Sequence, residues 1–556
     1  MRIARRAFVG LVLGSGAAAV LAACAPAAPP PAPAKPTEPP KPAAAAEAKP
    51  TAAPAAKPAE AKPAAGPQRG GTFNYAEAGD FNDFNPWTYT AVNFELYNQV
   101  FSRLMWKDGT GQSLPDLAQE WAMAPDNLSL KLKLRDNVKW HDGKELTADD
   151  FVTMWGYLKD EALAKHVGVT KVKGITAPIK DLVAPDKSTL ELKFDAPVPY
   201  VLDILDWFYA IRIPDKSDPQ MLKSLPVGSG PFKITEWATN QYARFVRHPD
   251  YYNRDLPYLN EVVFKRLTQA ETLLPNLKSG AVDGVLMTSL ADVGPLQADP
   301  NFRVDVNENA GSFFNIQVNV SKPPLDQKEV RQALSYSLNR VEMAKTAFFG
   351  VSRPIASAFY SPTSIGYRED LVMAHAFDLD RAKKLLEGAG VRNLDLSIIV
   401  TPAWPQMKLF SLIWQADLAK IGVRLKVDEV ENAKFYEING FKDLQGNDLQ
   451  AWLNARVTRD PAIFWSTQRN YRGGPTTGTH AYLNEEMEKL VGAGAVEPDT
   501  EKRKRIYQQL NEIVLDSCHV IQVATNPRVW AYGKGVDGMR VDLNGNLVVD
   551  QASVSR

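Results

Sequence analysis

Between Leu128 and Arg135 apolar and polar side chains alternate strictly, with Leu128, Leu130, Leu132 and Leu134 on one face and Ser129, Lys131, Lys133 and Arg135 on the other. A period of two predicts a half-buried strand. The loop Trp140-His141-Asp142-Gly143 follows, and Thr147-Ala148-Asp149-Asp150 then has capping-box form. That predicts a helix through about Leu158, burying Phe151, Met154, Trp155 and Leu158. The same reading gives strands at Gly70–Tyr75, Thr189–Phe194, Tyr242–Arg247, Glu261–Leu267 and Val282–Met287, and helices at Ala91–Met105 and Thr268–Ser279. Pro226–Phe232 is dense in glycine and proline and reads as a turn.

From Pro324 the periodicity lengthens. Asp326 is placed to cap a helix running to about Phe349 with Val330, Ala333, Leu334, Leu338 and Val341 inward. A second helix follows Asp378 and stops at Gly390, and a third covers Met407–Lys420. Thr500–Leu515 is a fourth, and strands at Leu394–Val400, Val423–Val430 and Val520–Ala524 are interleaved with these helices. The pattern is α/β in at least two lobes, as a chain of 556 residues requires.

Residues 25 to about 68 break this pattern. They are Ala, Pro and Lys with scattered Glu and no large apolar side chain, too little to bury for folding. As an extended tether they reach on the order of 100 Å. Before them, Met1–Arg6 is short and basic, Ala7–Val20 is apolar, and Leu21-Ala22-Ala23 precedes Cys24. This has the form of a signal segment (1–23) with acylation at Cys24, followed by a tether (24–69). Arg5-Arg6 with Phe8 also resembles a twin-arginine export signal. The expected location is the extracytoplasmic face of the cell membrane, anchored by lipid on Cys24. The other cysteine, Cys518, lies in an apolar stretch beside His519 and reads as a buried structural thiol.

Charge is balanced, with 64 basic and 64 acidic residues, and no basic run marks a nucleic-acid partner. Six histidines are scattered, and neither a metal site nor a cofactor is expected. Gly533–Gly538 matches GxGxxG but leads into a strand-like Met539–Leu543, so it reads as chance. His141, Asp142, Asp149 and Asp150 offer the outline of a catalytic cluster in a lipid-anchored hydrolase. No nucleophile accompanies them, and they read as turn and cap residues.

Five segments, in order, resemble the family 5 extracellular solute-binding proteins, receptors of ABC importers. They are LPDLAQEW…LKLRDNVKWHDGKELTADDF, GSGPFKITEW (Gly228–Trp237), PPLDQKEVRQALSYSLNR (Pro323–Arg340), FDLDRAKKLLEGAGV (Phe377–Val391) and LAKIGVRLKV (Leu418–Val427). The resemblance implies a periplasmic-binding-protein-like α/β clamshell of two lobes with an extra insertion domain. Lobe I would comprise 70–105, 215–310 and 525–556, the insertion domain 106–214, and lobe II 311–524. It implies a monomer without enzymatic activity that captures a solute in an interlobe cleft and hands it to permease subunits. Peptides are the leading ligand class and oligosaccharides or another solute the alternative. Peptide-binding members hold the ligand's amino group with an Asp in a W-x-A-D-Y-x-x-P segment. Here Trp452–Pro461 keeps the tryptophan and the Asp460-Pro461 pair, but Arg456 or Val457 stands where that acid belongs. A guanidinium suits a carboxylate, and Asp460 is the acid left to take an amine. The expected ligand-binding set is Asn85, Trp87, Tyr89, Asn315, Trp404, Gln406, Trp452, Arg456 and Asp460.

Overall fold

The computed structural model describes residues 68–79, 81, 84–87, 94–161, 170–212, 226–308, 311–438, 448–455, 460–467 and 484–555, all within one compact unit, Ala65–Arg556. Strand β1 (Thr72–Glu77) precedes helix α1 (Phe94–Val100). Strands β2 (Ala118–Met123) and β3 (Ser129–Leu134) lead to α2 (Ala148–Lys159), then β4 (Ile179–Asp186) and β5 (Thr189–Phe194). The chain continues through β6 (Phe232–Ala238), β7 (Tyr242–Arg247), β8 (Glu261–Arg266), β9 (Gly284–Leu286) and β10 (Phe302–Asn307). A second series runs from β11 (Ser312–Val318) through α3 (Lys328–Tyr336), α4 (Arg340–Thr346) and α5 (Leu379–Gly388). It continues with β12 (Leu394–Val400), α6 (Pro405–Ala419), β13 (Val423–Glu429), β14 (Leu449–Ala455) and α7 (Pro461–Thr467). Helix α8 (Thr500–Ser517), β15 (Val520–Thr525) and β16 (Arg528–Gly533) complete the set.

These strands form three large sheets. The first has seven strands in the order β10-β16-β9-β1-β8-β7-β6, and the second five in the order β13-β12-β14-β11-β15. The third is antiparallel, β2-β3-β5-β4. In the first, β1, β8 and β9 are parallel and end at Glu77, Arg266 and Leu286. In the second, β12, β13 and β14 are parallel and end at Val400, Glu429 and Ala455, while antiparallel β11 begins at that edge with Ser312. The chain passes between the two sheets twice, from β10 to β11 through Glu308–Gly311 and from β15 to β16 through Asn526-Pro527. The crossings join Asn307 to Ser312 and Thr525 to Arg528, with Arg528 paired to Asn307 and Thr525 to Phe313.

The alternating segment forms β3, with Leu130, Leu132 and Leu134 buried and Leu128 exposed just before the ladder begins. In α2 the four predicted apolar residues are buried, and the Asp150 carboxylate reaches back to accept from the Thr147 N–H at 2.8 Å. The predicted helix from Asp326 to Phe349 is instead two helices, α3 and α4. Asn339 accepts from the Glu342 N–H and caps a new helix there, a local bond that competes with continuing the old one. The break changes the phase of the face, and Val341, expected inward, is 63% exposed. Helix α1 is likewise shorter than predicted, because the chain turns at Phe101 and reaches extended structure at Met105–Lys107. Past Gly533 the chain pairs Val536-Asp537 with Ser553-Val554, so the GxGxxG match opens no helix.

His141 links two of the quoted motifs. Its Nδ1 accepts from the Gly228 N–H at 3.3 Å, and its Nε2–H donates to the Gly230 carbonyl at 3.1 Å. The ring is therefore a buried neutral imidazole clamping the glycine turn, packed edge-on against His248 at 4.8 Å. Burial, then the neighbouring His248, hold its pKa at about 3. The turn itself lies against α1, where a Cβ on Gly228 would sit 2.0 Å from the Val100 carbonyl oxygen. Backbone cannot yield as a side chain tip does, so Gly228→Ala is expected to cost about 3 kcal/mol, at the upper end for overpacking, measured by denaturant unfolding.

A buried ionic knot ties together distant segments. The Arg103 guanidinium donates to Asp206 Oδ1 at 2.7 Å and to Asp542 Oδ2 at 3.1 Å, and also to the Asn98 amide oxygen. All four residues are buried.

Candidate functional site

In open α/β sheets ligands bind outside the carboxyl ends of the strands. Here that rule selects the two sheet edges joined by the chain crossings. On the second sheet, Asn315 and Trp452 are directly paired across β11 and β14 and so share a face. Asn315 is fully buried and donates from Nδ2 to Asn454 Oδ1 at 2.6 Å. Trp452 is half-buried and stacks on Phe435, ring centres 5.5 Å apart. Trp404, at the N-cap of α6, meets Phe314 edge-on at 6.1 Å. Trp404 and Trp452 both pack against the hydrophobic cluster that contains Phe314. Gln406 is half-buried in the first turn of α6.

The remaining expected residues divide three ways. Asn85 and Trp87 are buried. Asn85 Oδ1 accepts from the Trp87 N–H at 3.0 Å, an Asx turn, and Trp87 packs into the largest hydrophobic cluster. Asp460 is engaged within the chain rather than open to an amine: Arg503 donates to Oδ2, and Oδ1 accepts from the Ala462 N–H at 2.9 Å and the Tyr507 hydroxyl at 3.3 Å. Burial lifts its pKa to about 6, against the pull of Arg503. Tyr89, Arg456 and Cys24 lie outside the described residues. Of the other tryptophans near this edge, Trp465 is core and donates to Glu488 at 2.8 Å.

On the first sheet the edge carries groups that sequence reading passed over. Tyr75 and Glu77 share a face of the central strand β1, and Arg528 and Trp530 occupy that face of β16. Glu95 projects from the first turn of α1 and takes an ion pair from Arg528. Glu77, Glu95 and Tyr75 are all at most 2% exposed. The signal was present in β1: Phe73, Tyr75 and Glu77 alternate onto one buried face, and an acid stands where an apolar residue is expected.

No described helix is long and apolar enough to cross a membrane, and no group of His, Cys, Asp or Glu among the described residues is placed to hold a metal. Cys518 ends α8 in a left-handed conformation with φ 47°. Its Sγ lies 3.6 Å from His375 Nδ1, and burial pushes the thiol up to about 12, so it is no nucleophile at neutral pH. His519 turns instead to Ser517.

The chain thus carries two α/β sheets joined by two chain crossings. Residues 113–477 match the model for bacterial extracellular solute-binding proteins, family 5 middle region. The chain belongs to this family and is the substrate-binding component of an ABC importer. It is 25% identical to the dipeptide-binding protein of Escherichia coli, over 87% of this chain and 94% of that one. It is 27% identical to heme-binding protein A of Haemophilus influenzae, over 80% and 85% of the two chains. The fold also matches DppA of Helicobacter pylori, solved with the peptide STSA, at a TM-score of 0.74 and 22% identity over 88% of this chain and 99% of that one.

Proposed function

We propose that the protein captures solutes of the peptide class at the carboxyl-end edges of its two main sheets and delivers them to a membrane permease. The observation that carries this reading is similarity to a dipeptide-binding protein along 87% of the chain. Arg456, two residues past Asn454, supplies the cation for a ligand carboxylate, and Trp452, Trp404 and Gln406 supply aromatic and amide contacts. The first sheet with its crossings serves as lobe I, the four-stranded sheet within 106–214 as an insertion domain, and the second sheet as lobe II. The tether and a lipid on Cys24 hold this body near the membrane surface.

The test is capture. The purified protein is denatured and its released small molecules are identified by mass spectrometry, and a peptide digest and an oligosaccharide mixture are titrated against tryptophan fluorescence. Peptides are expected in the extract and a saturable response to the digest alone. A response to oligosaccharides and none to peptides overturns the ligand class.

A further inference from the structure

The acidic pair at the end of β1 is built as an incomplete site. Glu77 Oε1, Glu95 Oε2 and the Tyr75 hydroxyl are each buried without a hydrogen-bond partner. Arg528 engages the other oxygen of Glu95, and it is the only cation among the described residues that acts on Glu77. Two carboxylates thus face one guanidinium. Burying an unmatched carboxylate is among the most unfavourable arrangements in a protein interior. Burial and then repulsion from Glu95 accordingly hold the Glu77 carboxyl well above its usual range. Tyr75 shares the face of β1 with Glu77, and burial and then both acids push its hydroxyl pKa up.

Three unmatched oxygens, two of them on carboxyl groups, match one chemical species, a cation carrying several N–H donors. The position fits as well, since Glu77 is the last residue of the central strand, at the edge where ligands bind. The other buried acid near the opposing edge, Asp460, is already held by Arg503. We propose that Glu77, Glu95 and Tyr75 form a subsite for a cationic group of the captured solute, a primary ammonium or a guanidinium. The inference rests on the peptide-receptor reading and adds to it the charge of the solute and the residues that select it.

Glu77→Gln keeps the shape and removes the charge. The probe is a tryptic digest of casein, with retained peptides identified by mass spectrometry and each one resynthesised with its amines acetylated and its arginine replaced by citrulline. Wild-type protein is expected to bind the charged peptides about tenfold or more tighter than their neutralised forms. Glu77→Gln is expected to lose that preference while unfolding at the same or a higher temperature, because an unmatched buried carboxyl has gone. Tyr75→Phe keeps the charge and removes one acceptor, so a loss of about fivefold is expected. If Glu77→Gln binds the charged peptides as wild type does, the subsite is overturned and the receptor reading stands. If wild-type protein retains no peptide at all, the receptor reading fails, and the subsite with it.

Discussion

Between pH 7.5 and pH 5 three buried histidines are expected to withdraw about 6 kcal/mol of folding stability, about 2 kcal/mol each. Burial holds His141 at about 3 and His248 and His375 at about 4, whereas an unfolded histidine titrates near about 6.5. These are bases with depressed folded pKa values. Below about 6.5 the unfolded chain takes up protons that the folded chain refuses, so stability is full above that pH and drains as pH falls toward the folded values. The groups facing the rings do not rescue them. His141 already uses both nitrogens on Gly228 and Gly230, His248 bonds the same Gly230 carbonyl at 3.3 Å, and His375 lies near the Arg340 and Arg381 cations. Asp460, Glu77 and Glu95 work in the opposite sense. Their folded pKa values are raised, so acid relieves them and the net fall is smaller. The histidine contribution is isolated by difference: the stability gap between wild type and His141→Gln is expected to narrow by about 2 kcal/mol from pH 7.5 to pH 5 in urea titrations. A constant gap overturns the assignment of a neutral His141.

Arg103→Met is expected to cost about 3–5 kcal/mol. The substitution preserves most of the packing volume, so the effect isolates the charge. It removes the guanidinium that pairs with Asp206 and Asp542, both buried. Asp206 Oδ1 also accepts from the Lys107 N–H at 2.8 Å, and Asp542 Oδ1 from the Asn546 N–H at 2.9 Å, so neither carboxylate swings out to water without breaking further bonds. Restoring neutrality in Arg103→Met/Asp206→Asn is expected to recover part of the loss. A double variant no more stable than the single one would place the cost in packing instead.

How far the sequence revealed this arrangement depends on the range of the interaction involved. Strand β3 and helix α2 were legible because their signals are local, an alternation of two and a cap three residues from its partner. The break between α3 and α4 was not, because Val330–Leu338 and Asn339–Val341 each satisfy helical spacing, and only the competing cap at Asn339 separates them. Asn85 and Trp87 carried the chemistry expected of a binding loop, but the fold folds both inward. Glu77 was missed for the converse reason. An acid at the end of a strand looks solvated until the long-range partners, Glu95 at 18 residues and Arg528 on β16, bury it. The role of His141 was hidden in the same way, since its two bonds reach residues on a separate motif.

In the proposed two-lobe arrangement, the two chain crossings at 308–311 and 526–527 would limit the motion between the lobes. One strap leaves two bodies free to swing and twist. Two short connections would leave chiefly rotation, a hinge with a single dominant coordinate. Opening and closing along that coordinate are then a two-state equilibrium, and a solute shifts it only by binding the closed form more tightly than the open one. Arg528 begins one residue past the second strap, and its guanidinium is held by Glu95. The proposed acidic subsite thus adjoins the second crossing, so in the proposed two-lobe arrangement its occupancy would be felt first there.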